Sequence, residues 1–353
     1  MSPYVNKIEI QNFGCLGNVK IPLTPLHCFI GPNDSGKSSL LRALQVFSLA
    51  ISHQAYTVPS LVEPEFRELK GYALDNPVVI GVESAGCFGQ LAVEGQKVDW
   101  TFGKGTLDEH RANVLAPGLV IKAKTVPEEM TQAVGSARML WLNPESLKSS
   151  SELIPEGEAI RLFDVKGTGL PGVYDAIINR DVESFQKIVA EVRKLFPTVE
   201  KVQLRNVSTR EKVIAVELNT GQRVPAEYMS TGLLYFLAFA ALPYLEPASI
   251  LLIEEPENGL HPARIQEIMR ILREVSKTTQ VLIATHSPLV VNELTPEEVS
   301  VVTRDPVQGT KVRAIKEAPN FTERSKVYAL GELWVSYANG QDEAPLFEPS
   351  GSV

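Results

Sequence analysis

The sequence predicts an α/β fold with a mixed central sheet, an antiparallel β part near the N-terminus and a helical insert. Three observations predict it. A glycine-rich loop at residues 31–38 lies between a short apolar strand and a helix with apolar residues at helical spacing. After residue 249, strand segments alternate with helical segments, as in a mostly parallel sheet. The N-terminal segment alternates apolar and polar residues, as half-buried antiparallel strands do.

Composition and charge place the chain among soluble globular proteins. Of its 353 residues, 44% are hydrophobic and 22% are charged, which is enough apolar material for a substantial core. The net charge of −8 excludes a general attraction to nucleic acid, so any such binding needs a local basic patch. The start, MSPYVNKIEIQNFG, lacks an apolar signal core, and the most apolar window, residues 233–242, is too short to span a bilayer. We therefore predict a cytoplasmic protein without a membrane partner.

Cysteine usage agrees with this location. Cys15, Cys28 and Cys87 have no C-x-x-C spacing and, being three, cannot all pair with one another. The pattern favours a reducing compartment and argues against a zinc site.

The N-terminal elements follow from periodicity and turn residues. VNKIEIQNF and NVKIPL flank a glycine-containing turn and predict a hairpin. LHCFI is a short apolar strand that ends at Gly31, and the glycine loop after it opens a helix whose apolar residues recur at helical spacing. Residues 78–102 predict antiparallel strands with glycine-rich turns, whereas residues 103–180 are mixed.

The C-terminal half predicts the parallel part of the sheet. Asp181 caps a helix that stops at Pro197, and two strands then lead to the apolar helix MSTGLLYFLAFAAL. The remaining segments alternate between strand and helix; they are a strand at 249–254, a helix at 262–276, a strand at 280–284, a short helix at 287–292 and a strand at 298–303.

The first functional motif is GPNDSGKS, residues 31–38, which fits the G-x-x-x-x-G-K-[ST] phosphate loop between a strand and a helix. Glycines let the backbone N–H groups wrap phosphates, and the helix N-terminus adds a favourable partial charge. Lys37 is predicted to reach the β- and γ-phosphates of ATP, and the Ser38 hydroxyl to bind Mg²⁺. The alternative is an ordinary glycine turn before a helix.

The second motif is ILLIEEPENGLHP, in which four aliphatic residues run into Glu254 and Glu255. Two like charges at the end of a buried strand need a cation or a reacting group beside them. Glu254 is predicted to hold Mg²⁺, directly or through water, and Glu255 to orient and deprotonate the attacking water. The alternative is an edge strand that runs into a solvated acidic turn.

Two further segments complete the set. YMSTGLLYF places Ser230 and Gly232 at a helix start, and VLIATHSP places His286 at the end of a strand. Ser230 has the alternative role of a helix cap, and His286 that of a structural histidine. We interpret His261 as a helix-start residue and the aromatic residues after Ser230 as core; these are Tyr235, Phe236 and Phe239.

The order of phosphate loop, Ser-x-Gly helix start, acidic strand and strand-terminal histidine resembles the ABC-type ATPases. IEEPENGLHP, ATHSP and the N-terminal KIEIQNFGCLGNVKI are similar to the RecF-like and OLD-like (overcoming-lysogenization-defect) branch. The resemblance covers most of residues 5–304, with residues 103–180 the least recognisable part. It implies an ABC-ATPase-type fold.

The resemblance also implies roles for individual residues. Ser230 and Gly232 would bind the γ-phosphate held by another subunit, so that a homodimer or higher oligomer encloses the nucleotides, and His286 would sense hydrolysis. PENGL, residues 256–260, would lie at the subunit contact. The residues expected to bind the nucleotide are Gly31, Asn33, Ser35, Gly36, Lys37, Ser38, Ser39, Ser230 and Gly232.

Three departures from the family pattern stand out. The clamp reads Met-Ser-Thr-Gly-Leu from Met229 instead of Leu-Ser-Gly-Gly followed by a polar residue. Glu254 stands where an aspartate is usual. The glutamine that often links nucleotide to partner has only Gln90 as a weak candidate.

The motifs predict four segments: an N-terminal ATPase lobe at residues 1–102, an insert or helical subdomain at 103–210, a C-terminal ATPase lobe at 211–337 and a flexible tail at 338–353. We find no sustained heptads, and the stretch after His286 is too short for a nuclease domain. The active output is therefore expected from a separate protein.

The leading hypothesis is an ATPase whose nucleotide-driven closure controls a separate nuclease or toxin, in the anti-phage context that the resemblance implies. One alternative is a DNA-repair ATPase with DNA as partner, which predicts a basic stripe; its candidates are Arg42, Arg193, Lys194, Lys201 and Arg205. Another is the nucleotide-binding subunit of a membrane transporter.

Overall fold

A computed structural model describes residues 4–52, 76–94, 97–114, 126–305 and 309–337. The predicted tail at 338–353 lies outside these residues. Contacts between Cα atoms divide the chain into two compact units. The first comprises residues 1–138, 248–255 and 276–353, and the second comprises residues 139–247 and 256–275.

The strands of the described residues are, in chain order, β1 (Val5–Phe13), β2 (Leu16–Pro22), β3 (Leu26–Ile30), β4 (Val78–Ser84), β5 (Cys87–Glu94), β6 (Lys97–Lys104), β7 (Ala137–Leu140), β8 (Ser151–Glu152), β9 (Val199–Asn206), β10 (Glu211–Leu218), β11 (Arg223–Pro225), β12 (Ile250–Glu254), β13 (Gln280–Thr285), β14 (Val299–Asp305) and β15 (Gly309–Ala314).

The helices of the same residues are α1 (Lys37–Ser52), α2 (Leu107–Val114), α3 (Glu128–Val134), α4 (Pro144–Lys148), α5 (Leu170–Arg180), α6 (Val182–Leu195), α7 (Thr231–Ala241), α8 (Pro262–Val275), α9 (Pro288–Val291), α10 (Phe321–Arg324) and α11 (Leu330–Tyr337). Short 3-10 turns lie at Ala226–Tyr228, Leu242–Tyr244, Pro296–Glu298 and Ile315–Glu317. None of the helices in the described ranges combines the length and apolar character that crossing a bilayer requires.

The first unit contains an antiparallel sheet with the order β2-β1-β4-β5-β6. The predicted N-terminal hairpin is confirmed, because β1 and β2 pair antiparallel across a turn in which Gly14 has a φ of 55°. The alternation of the sequence agrees with the sheet: Ile8 and Ile10 are buried on one face, and Glu9 between them points to the other face, where it is buried as well. The strands predicted within 78–102 are also confirmed.

The second sheet is mixed, with the order β15-β14-β3-β13-β12-β7. Strands β12, β13, β3 and β14 run parallel, and β15 pairs antiparallel with β14. Every residue of β3 and β13 is buried, as expected for the uninterrupted apolar runs of a parallel strand. The predicted α/β fold with a mixed sheet and an N-terminal antiparallel part is therefore confirmed.

The second unit contains a small antiparallel sheet and four longer helices, α5 to α8. Strand β10 pairs with β9, β8 and β11. The predicted helix after Asp181 is found, and the Asp181 carboxylate accepts from the backbone N–H of Ser184 at 3.0 Å. Hydrogen bonds from Ser184 hold the pKa of the Asp181 carboxyl below its usual value.

The division into units differs from the predicted boundaries at residues 103 and 211. A boundary at residue 211 separates β9 from β10, although these strands pair along their length. Residues 211–247 therefore belong with residues 139–210 in the second unit, and residues 103–138 belong with the first. Strand pairing, which the order of motifs along the chain does not reveal, accounts for the difference.

His27, the second residue of β3, is fully buried and has partners on both ring nitrogens. Nδ1 lies 3.1 Å from the Thr24 hydroxyl and Nε2 lies 2.9 Å from the Ser300 hydroxyl. Burial lowers the pKa of His27 from 6.5 to about 3, and the nearby charge of Glu298 opposes only part of this effect. The imidazole is therefore neutral in the folded protein at neutral pH.

We predict that His27 makes folding stability fall as the pH decreases from 7.5 to 5. Below pH 6.5 the unfolded chain binds a proton that the folded protein does not, so the stabilisation present above pH 6.5 is lost toward pH 3. The expected slope is roughly 1 kcal/mol per pH unit. Urea unfolding of wild type and His27→Gln at each pH checks this; equal pH dependence of the two proteins contradicts it.

Candidate nucleotide site

Three parallel strands of the first unit end at the same edge of the mixed sheet. Glu254, the last residue of β12, is in register with Ala284 of β13, and Ala284 is in register with Phe29 of β3. The glycine loop follows β3, the second glutamate follows β12, and His286 follows β13. Register alone therefore brings three predicted motifs to one place.

The glycine loop is shaped by its backbone. Asp34 and Gly36 have φ values of 63° and 107°, and α1 begins at Lys37. Residues in alternating right- and left-handed conformations turn successive N–H groups to one side, which makes an anion-binding concavity. A Cβ at Gly31 would lie 2.1 Å from the carbonyl oxygen of Val302, so no side chain fits there. The loop thus has the form that phosphate binding requires.

Lys37 is held at this loop. Its ammonium donates to the carbonyl oxygens of Gly31, at 2.9 Å, and Pro32, at 2.7 Å, and its side chain is almost fully buried. A lysine ammonium has three donors and a compact charge, so it can turn from carbonyl oxygens to phosphate oxygens. The role predicted for Lys37 toward phosphate stays a prediction.

A cavity of about 260 Å³ lies at this edge of the sheet. It brings together eight of the predicted site residues and three others; the lining residues are Cys15, Asn33, Asp34, Ser35, Gly36, Lys37, Ser38, Ser39, Glu254, Glu255 and Ala284. Gln90 lies within β5, opposite Gly81 and Thr101, and is not among the described residues that line the cavity.

The two glutamates differ in their surroundings. The Glu254 Oε1 atom is buried and has no hydrogen-bond partner among the described residues. A buried carboxylate oxygen without a donor is costly unless a cation or water occupies the site. Oxygen ligands are those that Mg²⁺ prefers, and the Ser38 hydroxyl lines the same cavity. These two side chains therefore fit the predicted Mg²⁺ site.

Glu255 is held in an uncommon conformation, with a φ of 46°. Its backbone N–H donates to the carbonyl oxygen of Ala284 at 2.8 Å, and its Oε1 atom lies 3.4 Å from His286 Nδ1. Both side chains are partly exposed. The carboxylate thus lies beside an imidazole where both are open to solvent, an arrangement suited to proton transfer.

Ser230 and Gly232 lie in the second unit, at the start of α7. The Ser230 hydroxyl accepts from the backbone N–H of Leu233 at 3.3 Å, so the alternative role of helix cap is present. A Cβ at Gly232 would lie 3.3 Å from the carbonyl oxygen of Gly259, and Gly259 has a φ of 68°. The helix start thus packs on the PENGL segment. Its role toward nucleotide stays a prediction.

The other interpretations of histidine and aromatic residues are confirmed. His261 Nδ1 accepts from the backbone N–H of Ala263 at 3.2 Å at the start of α8. Tyr235, Phe236 and Phe239 are buried in the core of the second unit. They are structural residues.

Two members of the predicted basic stripe are paired with acids. Arg193 contacts Glu200 at 2.6 Å, and Lys201 contacts Glu217 at 2.7 Å. The hydrogen bond from Lys201 is the main reason that the pKa of Glu217 lies below its usual value. Ion pairing reduces the positive charge available to a phosphate backbone, so these residues give the DNA-binding alternative no support.

Several residues outside the motif contact the glycine loop, and the sequence did not predict them. Arg304 Nη1 contacts the Asp34 carboxylate at 2.5 Å, and the Thr310 hydroxyl donates to the Ser35 carbonyl oxygen at 2.8 Å. The Cys15 thiol lines the cavity and lies 3.5 Å from the Ser39 hydroxyl. Arg304 and Thr310 are far from the loop in sequence, and no local pattern marks them or Cys15.

Comparison with known proteins gives a consistent class. Residues 144–292 match a family described as "AAA domain, putative AbiEii toxin, Type IV TA system", and residues 4–84 match an "AAA ATPase domain". An OLD nuclease of Thermus scotoductus is 23% identical over an alignment 362 residues long. The alignment covers 89% of this chain and 64% of that protein. The chain thus spans 64% of the length of this relative.

Two solved structures share the fold. One is an Smc head bound to the C-winged helix domain of ScpA, with 14% identity, a TM-score of 0.57, and coverage of 88% of this chain and 97% of that one. The other is an Smc head domain with an extended coiled coil, bound to the C-terminal domain of ScpA derived from Pyrococcus furiosus. It is 13% identical, with a TM-score of 0.52, and covers 92% of this chain and 100% of that one.

The fold and these matches define an ABC-type ATPase architecture of the kind found in Smc heads. Within that class, the chain is similar over most of its length to an OLD-type protein, so the predicted OLD-like resemblance is confirmed.

We predict that Ser230 stabilises α7 as a cap, independently of any nucleotide. Ser230→Ala removes the acceptor for the Leu233 N–H and should lower the free energy of unfolding by about 1 kcal/mol. Ser230→Asp is the matched control, because aspartate caps equally well and should keep wild-type stability. Urea denaturation without nucleotide measures both. Equal stabilities of the Ala and Asp variants contradict the prediction.

Proposed function

We propose that this chain binds ATP with Mg²⁺ and hydrolyses ATP to ADP and phosphate at the sheet edge described above. The observation that carries the proposal is the single cavity shared by a phosphate loop, a buried carboxylate oxygen without a hydrogen-bond partner in the described chain, and Glu255, which lies beside His286. Similarity to ATPase domain families supports the same reaction.

Each residue contributes a different part of this reaction. The loop amides and Lys37 bind and orient the phosphates, and burial of Lys37 strengthens its charge interactions. Ser38 and Glu254 would hold Mg²⁺, which would neutralise phosphate charge. Glu255 accepts a proton from the attacking water. His286, 3.4 Å from Glu255, orients this carboxylate and contacts the γ-phosphate.

We further propose that nucleotide binding closes a homodimer or higher oligomer. Ser230 and Gly232 then face the nucleotide of the partner subunit. A helix N-terminus that carries a hydroxyl is a suitable anion clamp. The Ser230 hydroxyl accepts a backbone N–H in its own chain, and its own proton can be donated to a phosphate oxygen.

Closure is proposed to control a separate protein effector, a nuclease or a toxin, in defence against phage. Two similarities support this extension: one matching family is described with a toxin, and the similar Thermus protein is an OLD nuclease. The two Smc heads with this fold are each bound to a domain of another protein, ScpA.

We predict that Lys37→Ala weakens ATP binding and removes ATP hydrolysis. Loss of a charge-assisted contact to phosphate should raise the Kd for ATP by at least about tenfold and remove turnover. The control is Lys194→Ala, which removes an exposed lysine of α6 and should leave both quantities unchanged. Calorimetric titration and phosphate release measure them. Unchanged ATP affinity and turnover in Lys37→Ala exclude the proposed function.

We predict that Glu255→Gln binds ATP but hydrolyses it about 10²- to 10⁴-fold more slowly, because the general base is lost. The ATP-bound variant should sediment as a dimer or larger, and Glu255→Gln with Ser230→Asp should stay monomeric, because the added carboxylate repels the γ-phosphate. Assembly that is independent of ATP contradicts the closure mechanism.

The effector is tested by isolating Glu255→Gln with ATP from the native host. A protein that co-purifies in stoichiometric amount and is absent with Lys37→Ala supports control of an effector. Nucleic acid alone, released at high salt, supports the DNA-binding alternative instead.

A further inference from the structure

The β14–β15 hairpin contacts the outer side of the glycine loop. Arg304 of β14 and Thr310 of β15 are directly opposite each other in the antiparallel register. Both side chains reach the loop, and the Val302 carbonyl oxygen leaves no space for a side chain at Gly31. All of these residues belong to the first unit.

Arg304 acts on the residue of the loop that has the least favourable backbone conformation. One of its guanidinium nitrogens, Nη1, contacts the Asp34 carboxylate at 2.5 Å and the Asp34 carbonyl oxygen at 3.2 Å. Asp34 has a φ of 63°, a left-handed conformation that a residue with a Cβ adopts at a cost. The hydrogen bonds from Arg304 to both the side chain and the backbone of Asp34 stabilise this left-handed conformation.

Thr310 acts on the next peptide unit. Its hydroxyl donates to the Ser35 carbonyl oxygen at 2.8 Å, and its own backbone N–H donates to the Cys15 carbonyl oxygen at 3.0 Å. In a trans peptide unit the C=O and N–H point in opposite directions. The bond to the Ser35 carbonyl therefore turns the Gly36 N–H away from the hairpin.

The fit at Gly36 is close. A Cβ there would lie 2.4 Å from the Thr310 hydroxyl oxygen, and Gly36 has a φ of 107°. Thr310 is almost fully buried, so water does not readily replace its hydroxyl. The peptide unit that carries the Gly36 N–H is thus fixed by the Thr310 hydroxyl.

We propose that Arg304 and Thr310, here called the hairpin clamp, are positioning residues for nucleotide binding. They hold residues 34–36 in the conformation in which the loop amides converge on phosphate, so that ATP binding does not bear the cost of ordering the loop. The inference rests on the proposed ATP binding. It adds to that function two residues that are far from the loop in sequence, contact the loop, and are not among the residues that line the cavity in the described part of the chain.

The test compares conservative and disruptive substitutions in the full chain, with ATP and Mg²⁺ as the ligand in calorimetric titration. Thr310→Val keeps the shape of the side chain but removes the donor, and should raise the Kd for ATP about tenfold. Thr310→Ser keeps the hydroxyl and should stay within about twofold of wild type. In steady-state kinetics, KM should rise more than kcat falls, because the loop retains its chemistry once it is occupied.

A second pair of variants isolates the backbone effect. Arg304→Ala should raise the Kd for ATP about fivefold, because Asp34 loses its support. In an Asp34→Gly background the same change should raise the Kd by less than about twofold, because glycine adopts a φ near 63° without support. Arg304 is exposed, so this pair also decides the question if Thr310→Val does not fold.

The outcomes separate this inference from the proposed function. Suppose that the wild type binds ATP and that Lys37→Ala binds it much more weakly. Unchanged Kd values in the folded Thr310→Val and Arg304→Ala proteins would then overturn the hairpin clamp and leave the proposed function standing. Lower melting temperatures at unchanged Kd also overturn the hairpin clamp, since they show support of the fold alone. If the wild type binds no ATP, both proposals fail together.

Discussion

The register of three parallel strands is the constraint on which the rest of the site depends. Because β12, β13 and β3 are aligned without a shift, Glu254, Ala284 and Phe29 lie side by side, and the residues after them emerge at one edge. A slip by one residue in any pair would turn alternate side chains to the opposite face. The apolar runs buried on both faces of this sheet make such a slip costly, and so the core of the sheet maintains the geometry of its polar edge.

At the polar edge of the mixed sheet, several residues adopt conformations or environments that are unfavourable for folding. Asp34 and Glu255 both adopt left-handed backbone conformations, and a Glu254 oxygen is buried without a hydrogen-bond partner in the described residues. Strain and unsatisfied polarity of this kind persist only where surrounding contacts enforce them, and they cluster at binding sites. Binding of a cation and an anion together would offset the charge and the desolvation at this edge. Ligand binding would thus account for both the strained backbone and the unpaired carboxylate oxygen.

The sequence predicted most of the elements because their periods are strong. The alternation in β1, the apolar runs of β3, β12 and β13 and the glycine loop each depend on neighbouring residues, so they can be recognised locally. The contacts of Arg304 with Asp34 and of Thr310 with Ser35 cannot, because nothing in the local pattern of β14 or β15 identifies a partner so far along the chain. The division into two units could not be predicted from the sequence either, because it follows from the pairing of β9 with β10 and not from the order of motifs.

The bond between Thr310 and the Ser35 carbonyl joins residues 275 positions apart, and Gln280 makes a similarly distant pair of bonds with Val5. Contacts of such high sequence separation form late, because a long loop must close before they contribute. During synthesis, the glycine loop leaves the ribosome long before its outer support does. A partly made chain therefore carries the glycine loop without the contacts from Arg304 and Thr310, which can form only after β15 has been translated. The order of segments along the chain thus makes the support of the loop form later than the loop itself.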